Sequence, residues 1–118
     1  ERFEIDPMAY SNTLSRGQGT RLRLLIAMAF RPDVLLLDEP GTGLDLAGRR
    51  SLLKSVVEVA GSGERSVIIS SHQLGDIERI CDRILVLNEG TVVREGASDV
   101  LIQDGQTLEE AMMAWGAA

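Results

Sequence analysis

Cysteine is almost absent: Cys81 is the single one among 118 residues. The chain can therefore form no internal disulfide and no cysteine-rich metal site, which fits a reducing compartment. Packing is the expected role of that thiol. Histidine is equally scarce, with only His72. No apolar stretch approaches the roughly 20 residues that a bilayer-spanning helix needs, and no signal peptide is visible, so a membrane link would come through a partner. Basic clusters are missing as well. The net charge is −6, and Arg21 and Arg23 read as the wet face of a helix, not as the counterion-displacing footprint of a nucleic-acid binder. Repeats and low-complexity tracts are lacking. Against these absences stands an apolar content of 44%, arranged as alternating strand and helix patterns, which predicts a layered α/β body.

Residues 1–13 show no clear period, and Pro7 discourages a long helix there, so an irregular segment is expected. At Ser15 the pattern changes. Ser15-x-x-Gln18 is a capping box, in which each side chain satisfies a free backbone N–H of the first turn. Leu22, Leu25, Ile26 and Ala29 follow at helical spacing as the apolar stripe, and Pro32 closes the helix near Phe30. Val34 to Leu37 is a wholly apolar run of strand length, as expected of a central parallel strand covered on both faces. After a turn at Gly41 to Gly43, a helix over about 46–60 should bury Leu52, Leu53, Val56 and either Val59 or Ala60. Gly61-Ser62-Gly63 stops it.

A second buried strand is expected at 66–70, leading to Ser71-His72. A short helix follows, with Leu74, Ile77, Ile80 and Cys81 on its apolar side. Residues 83–88 and 91–95 flank an Asn88-Glu89-Gly90 turn and read as a β-hairpin. Thr107-x-x-Glu110 is another capping box, opening a helix that buries Leu108, Met112 and Trp115 and stops at Gly116.

Ligands of open α/β sheets bind beyond the carboxyl ends of the strands. Asp38-Glu39 and His72 stand at two such ends. If the acidic pair continued its strand, the two side chains would face opposite ways and suit different tasks; an acidic pair at a strand end can also be a solvated turn. At Ser15 a helix N-terminus offers unsatisfied N–H groups and a positive dipole end to an anion, and Gly17 lets a phosphate approach the backbone. The plainer alternative is an ordinary capped helix. Asp45 suits the N-cap of the helix starting at Leu46.

Taken in order, Leu14-Ser15-Arg16-Gly17-Gln18, then Val34 to Glu39, Gly43-Leu44-Asp45 and His72 resemble the signature, Walker B, D-loop and switch histidine of the ATPase subunit of an ABC transporter. The likeness runs from Leu14 onward and is most specific between Leu14 and His72. It implies that Asp38 holds Mg²⁺ and that Glu39 orients or deprotonates the water attacking the γ-phosphate of ATP, with His72 sensing that phosphate. It implies further that Ser15, Arg16, Gly17 and Gln18 face ATP held by a second ATPase protomer, with Asp45 at the seam between the two. Arg16 departs from the family's commoner glycine, and Gly41 stands where a larger residue is usual.

The implied partners are that second protomer, forming a homodimer or heterodimer, and a transmembrane permease, with no nucleic acid and no membrane span of the chain's own. The implied location is the cytoplasmic, inner face of the cell membrane. The segment Thr107 to Gly116 is loosely similar to the ending of subunits serving exporters of drugs, polysaccharides or lipids, and equally to any capped amphipathic helix. No G-x-x-x-x-G-K-[ST] phosphate loop occurs in the sequence. With Glu1 as first residue, this suggests a C-terminal piece of something longer, inactive by itself.

The expected fold is thus a P-loop-type α/β core with parallel strands, flanking helices and an edge β-hairpin. Residues 1–33 would end a helical subdomain, 34–96 would form the catalytic core, and 97–118 a C-terminal helical segment. The competing functions are a soluble ABC-type ATPase acting on ribosomes or DNA, and a non-catalytic remnant.

Overall fold

Ser15 and Gln18 close the capping box that their spacing predicts: the Ser15 hydroxyl accepts from the Gln18 N–H at 3.2 Å and Gln18 Oε1 accepts from the Ser15 N–H at 2.9 Å. A computed structural model describes residues 15–117; Leu14 and the segment expected to be irregular lie outside them. The chain divides after His72 into two compact units.

The first unit runs α1 (Arg16–Ala29), β1 (Val34–Asp38), α2 (Leu46–Ala60) and β2 (Ser66–Ser70). β1 and β2 are parallel neighbours, with Val34 opposite Ser66 and Asp38 opposite Ser70. Helix α2 is the crossover between them, as a parallel pair requires. Leu24, Leu35, Leu52, Val56 and Val59 form the core. Each such burial contributes about 1.5–3 kcal/mol. Of the two candidates at the end of α2, Val59 is the buried one.

Two expectations need correction here. The buried stripe of α1 is Leu24 with Ala27 and Met28, whereas Leu25 and Ile26 are exposed. Position 24 lies one residue off the predicted stripe because α2 and β1 present their apolar side chains there, and a helix so rich in Leu, Ile and Ala accepts either rotation. The sheet, moreover, is covered on one face only among the described residues. Leu35 packs on the helices, while Leu36 is 70% and Ile68 59% exposed on the opposite side. A wholly apolar strand signals capacity for burial on both faces, and among the described residues of this unit α1 and α2 are the helices that pack on it.

The second unit runs α3 (Leu74–Ile80), β3 (Arg83–Asn88), β4 (Thr91–Ala97), α4 (Ser98–Leu101) and α5 (Leu108–Ala114). β3 and β4 form a two-stranded antiparallel sheet. Their loop is Glu89-Gly90, with φ of 48° and 76°, the two left-handed residues that match the twist of paired strands. Val86 opposes Arg94 and Leu87 opposes Val92, so Val93 is a one-residue bulge. Ile77, Ile84, Val86, Leu108 and Ala111 are buried. The Glu78 carboxylate accepts the Leu108 N–H at 3.0 Å, tying α3 to the free N–H groups that open α5. Thr107 and Glu110 complete the second capping box, and Gly116, at φ 68°, ends that helix as predicted. Met112 and Trp115 are half-buried.

Candidate active site

The parallel register decides what meets at the sheet's carboxyl end. Asp38 closes β1 and Ser70 closes β2, directly opposite, and the Ser70 hydroxyl donates to Asp38 Oδ1 at 2.6 Å. The next residue, Glu39, does not continue the strand. Its φ is 45°, so the condition under which the two acids would face opposite ways is not met. A non-glycine residue pays for this left-handed backbone, and the surroundings hold it there. The Glu39 N–H donates to the Ser70 carbonyl at 3.1 Å and to the Ser70 hydroxyl at 2.9 Å. Both Glu39 carboxylate oxygens lie 3.0 Å from His72 Nδ1. A carboxylate only accepts, so Nδ1 is the protonated nitrogen and Nε2 remains for another partner. The pair is open to solvent, with the His72 side chain 68% and that of Glu39 39% exposed.

Beyond Glu39 the chain makes two tight turns: the Thr42 N–H donates to the Glu39 carbonyl and the Leu44 N–H to the Gly41 carbonyl, each at 3.2 Å. Gly41 leaves room for Arg49, since a Cβ there would stand 3.3 Å from Arg49 Cγ and Cδ. Gly43, at φ 77°, lies under the Arg16 guanidinium, and a Cβ would come 3.0 Å from its Nη1. Asp45 is the N-cap of α2, its Oδ1 accepting the Gly48 N–H at 2.7 Å.

The predicted residues gather at two places. Ser15, Arg16, Gly17, Gln18 and Asp45 line one cleft of about 590 Å³ at the start of α1. An added Cβ at Gly17 would meet only Leu44 Cδ2, at an ordinary 3.7 Å, so packing within the described residues does not require that glycine. Asp38 and Glu39 line a second cleft of about 460 Å³, whose wall is made by Leu24, Leu36 and Leu37; His72 meets this group through Glu39. Sequence reasoning missed Ser70. Its signal was a hydroxyl on the last residue of the strand preceding His72, a position whose partner depends on a register that one strand alone does not reveal.

Among the described residues no three His, Cys, Asp or Glu side chains form a metal cluster. Asp38 nonetheless suits a hard cation. One of its oxygens is engaged by Ser70, and a lone carboxylate with an open oxygen matches Mg²⁺, which keeps several waters and takes its other ligands from phosphates.

A parallel strand–helix–strand unit with an acidic pair at the carboxyl end of its first strand is an open α/β arrangement of the kind that binds ligands beyond its strand ends. Comparison with known proteins narrows the class. No protein-family model matches the chain. The molybdenum import ATP-binding protein ModC of Mycobacterium tuberculosis is 48% identical over 92 residues, which cover 75% of this chain and 24% of that protein. The Nod factor export ATP-binding protein I of Burkholderia orbicola is 40% identical over 90 residues, covering 76% and 29%. The solved structure of cbiO1 from Clostridium perfringens, part of an ABC transporter complex, superposes with a TM-score of 0.73 at 31% identity and covers 84% of this chain and 40% of that one. The chain belongs to the family of ABC transporter ATP-binding subunits, and its fold corresponds to part of their P-loop NTPase fold. It spans about a quarter to two-fifths of the length of these relatives.

Proposed function

We propose that these residues are the signature-to-switch portion of an ATPase site that powers an ABC transporter. The observation that carries this reading is the Glu39 carboxylate fixed by His72 Nδ1 at the end of β1, beside Asp38. A carboxylate so placed takes a proton from a water as that water attacks the γ-phosphorus. The new O–P bond forms as the β–γ bridging bond breaks, giving ADP and phosphate. His72 orients Glu39 through Nδ1–H, and its Nε2, the acceptor nitrogen of that tautomer, can receive a hydrogen bond from the attacking water. Asp38 would hold Mg²⁺, whose contribution when bound is to neutralise charge on the β- and γ-phosphates.

The cleft of Ser15, Arg16, Gly17 and Gln18 lies at the N-terminus of α1, a backbone setting suited to anions. We assign it to the γ-phosphate of ATP held by a second protomer, homologous or identical. Asp45 caps α2 and, in this reading, also lies at the seam between protomers. A transmembrane permease is the further partner, and the cytoplasmic face of the membrane the location; among the described residues no helix is long and apolar enough to cross a bilayer. The subdomain division at 33/34 and 96/97 is part of the same proposal. Relatives named for import and for export both occur, so the exporter-like ending at Thr107 to Gly116 does not set the direction. A soluble ABC-type ATPase acting on ribosomes or DNA is disfavoured by the charge of −6.

The backbone cradle and lysine of a G-x-x-x-x-G-K-[ST] loop supply much of the binding of a nucleotide's phosphates, and the 118 residues contain none. By itself this polypeptide is expected to show no turnover of ATP. In an intact subunit carrying the sequence, Glu39→Gln should abolish hydrolysis while ATP still binds, measured by phosphate release and by nucleotide titration. Normal turnover would remove Glu39 from its role.

A further inference from the structure

We propose that Ser70 is a positioning residue that locks the two acids of the site to each other, and that its hydroxyl sets the affinity of Asp38 for a divalent cation. The inference rests on the ATPase reading above and adds to it a residue that no motif names. A serine hydroxyl has one hydrogen to give and lone pairs to receive. At Ser70 both capacities are used within the site: the hydrogen goes to Asp38 Oδ1 at 2.6 Å, and the oxygen receives the Glu39 N–H at 2.9 Å. One side chain thus fixes the rotation of the first carboxylate and the backbone of the second.

The two bonds differ in how replaceable they are. The Glu39 N–H keeps the Ser70 carbonyl, 3.1 Å away, when the side chain is removed. Among the described residues, Asp38 Oδ1 has no such second partner. Loss of the hydroxyl therefore falls on Asp38, whose carboxylate becomes free to turn, while the left-handed turn at Glu39 stays in place. Groups that orient a metal ligand from behind are commonly worth about 10- to 100-fold in metal affinity or activity.

The test compares Ser70→Val with Ser70→Thr in an intact subunit. The two side chains have the same shape and differ by the hydroxyl, so packing and strand propensity are matched. Binding of Mn²⁺ in the presence of ATP, followed by the spin-resonance signal of the free ion in the non-hydrolysing Glu39→Gln background, should weaken about 10-fold or more with Ser70→Val and stay near the parent value with Ser70→Thr. Without Glu39→Gln, KM for MgATP should rise in the same order, because an ion held less tightly by Asp38 weakens binding of the complex that carries it by the same factor. Should Ser70→Val fail to fold, Ser70→Ala serves with the same expectation. Equal Mn²⁺ affinity in the Val and Thr variants overturns the proposal and leaves the ATPase reading standing, provided Glu39→Gln is inactive. A Glu39→Gln subunit that hydrolyses ATP normally overturns that reading and this proposal with it.

Discussion

Two glutamates, Glu39 and Glu89, adopt nearly the same unfavourable backbone, with φ of 45° and 48°. Glu89 is the first residue of a two-residue hairpin loop, followed by Gly90 at 76°; its conformation follows from the twist of the strands it joins. Its side chain is exposed. Glu39 has no such local excuse, since Pro40 and not glycine comes next. It is held from outside, by Ser70 on its N–H and His72 on its carboxylate. Left-handed backbone alone thus says little about function. What separates the two is whether the strain is relieved by the turn itself or opposed by partners distant in sequence, and only the second kind places a side chain for work.

The largest expected separation is in turnover. In an intact subunit Glu39→Gln should cost about 10²–10⁴-fold or more, the range of a lost general base, whereas Glu89→Gln should leave phosphate release unchanged. Equal effects would erase the distinction between the two turns. His72→Ala comes next. It removes the group that aims Glu39 and should lower kcat more than it raises KM for ATP; a change confined to KM would make His72 a binding group instead.

Helix caps give a smaller, two-sided test. Asp45→Ala should destabilise α2 by about 1 kcal/mol, and Asp45→Ser should restore most of that, both read from denaturant midpoints. If Asp45→Ser recovers stability but not turnover, the carboxylate has a task beyond capping; recovery of both leaves it a cap. Smaller again, Glu89→Asn should stabilise the protein by roughly 0.5 kcal/mol, because Asn-Gly suits a loop with two left-handed residues. The slightest effect concerns Cys81. Burial, and then the charge of Asp82, raise its thiol above the ordinary 9.0. Stability linked to the protonated thiol is whole below pH 9 and is lost as the pH rises through the higher folded value. Replacing Cys81 with Ala should flatten that alkaline fall in melting temperature.

Much of this architecture could be read from residues alone, and the reason is local. Both capping boxes, the stop at Gly116 and the Glu89-Gly90 loop depend on side chains within four positions of one another, so spacing was enough. The strands at 34–38 and 66–70 were legible as apolar runs. Their exposed face was not, because hydrophobicity reports what a strand can bury, and not which neighbours are there to cover it. The rotation of α1 was misjudged for a related reason: Leu24, Leu25 and Ile26 are equally apolar, and the choice among them is made by Leu35 and Leu52 across the core. At the site, the acids and the histidine were found by motif. Ser70 and the left-handed turn at Glu39 were not, since both arise from the pairing of strands whose last residues are 32 positions apart.

That pairing has an implication for how the molecule could be quality-checked. If β2 slid by one residue so that Ile69 came opposite Asp38, Asp38 would lose its hydroxyl partner, and the side chains of β2 would exchange faces. A misaligned sheet could retain its helices and much of its compactness, and spectroscopy of secondary structure would pass it. On the proposed role of Ser70, divalent-cation binding at Asp38 would not. Metal titration would then count correctly registered molecules in a preparation, turning a single 2.6 Å contact into a proofreading mark for the whole strand pair.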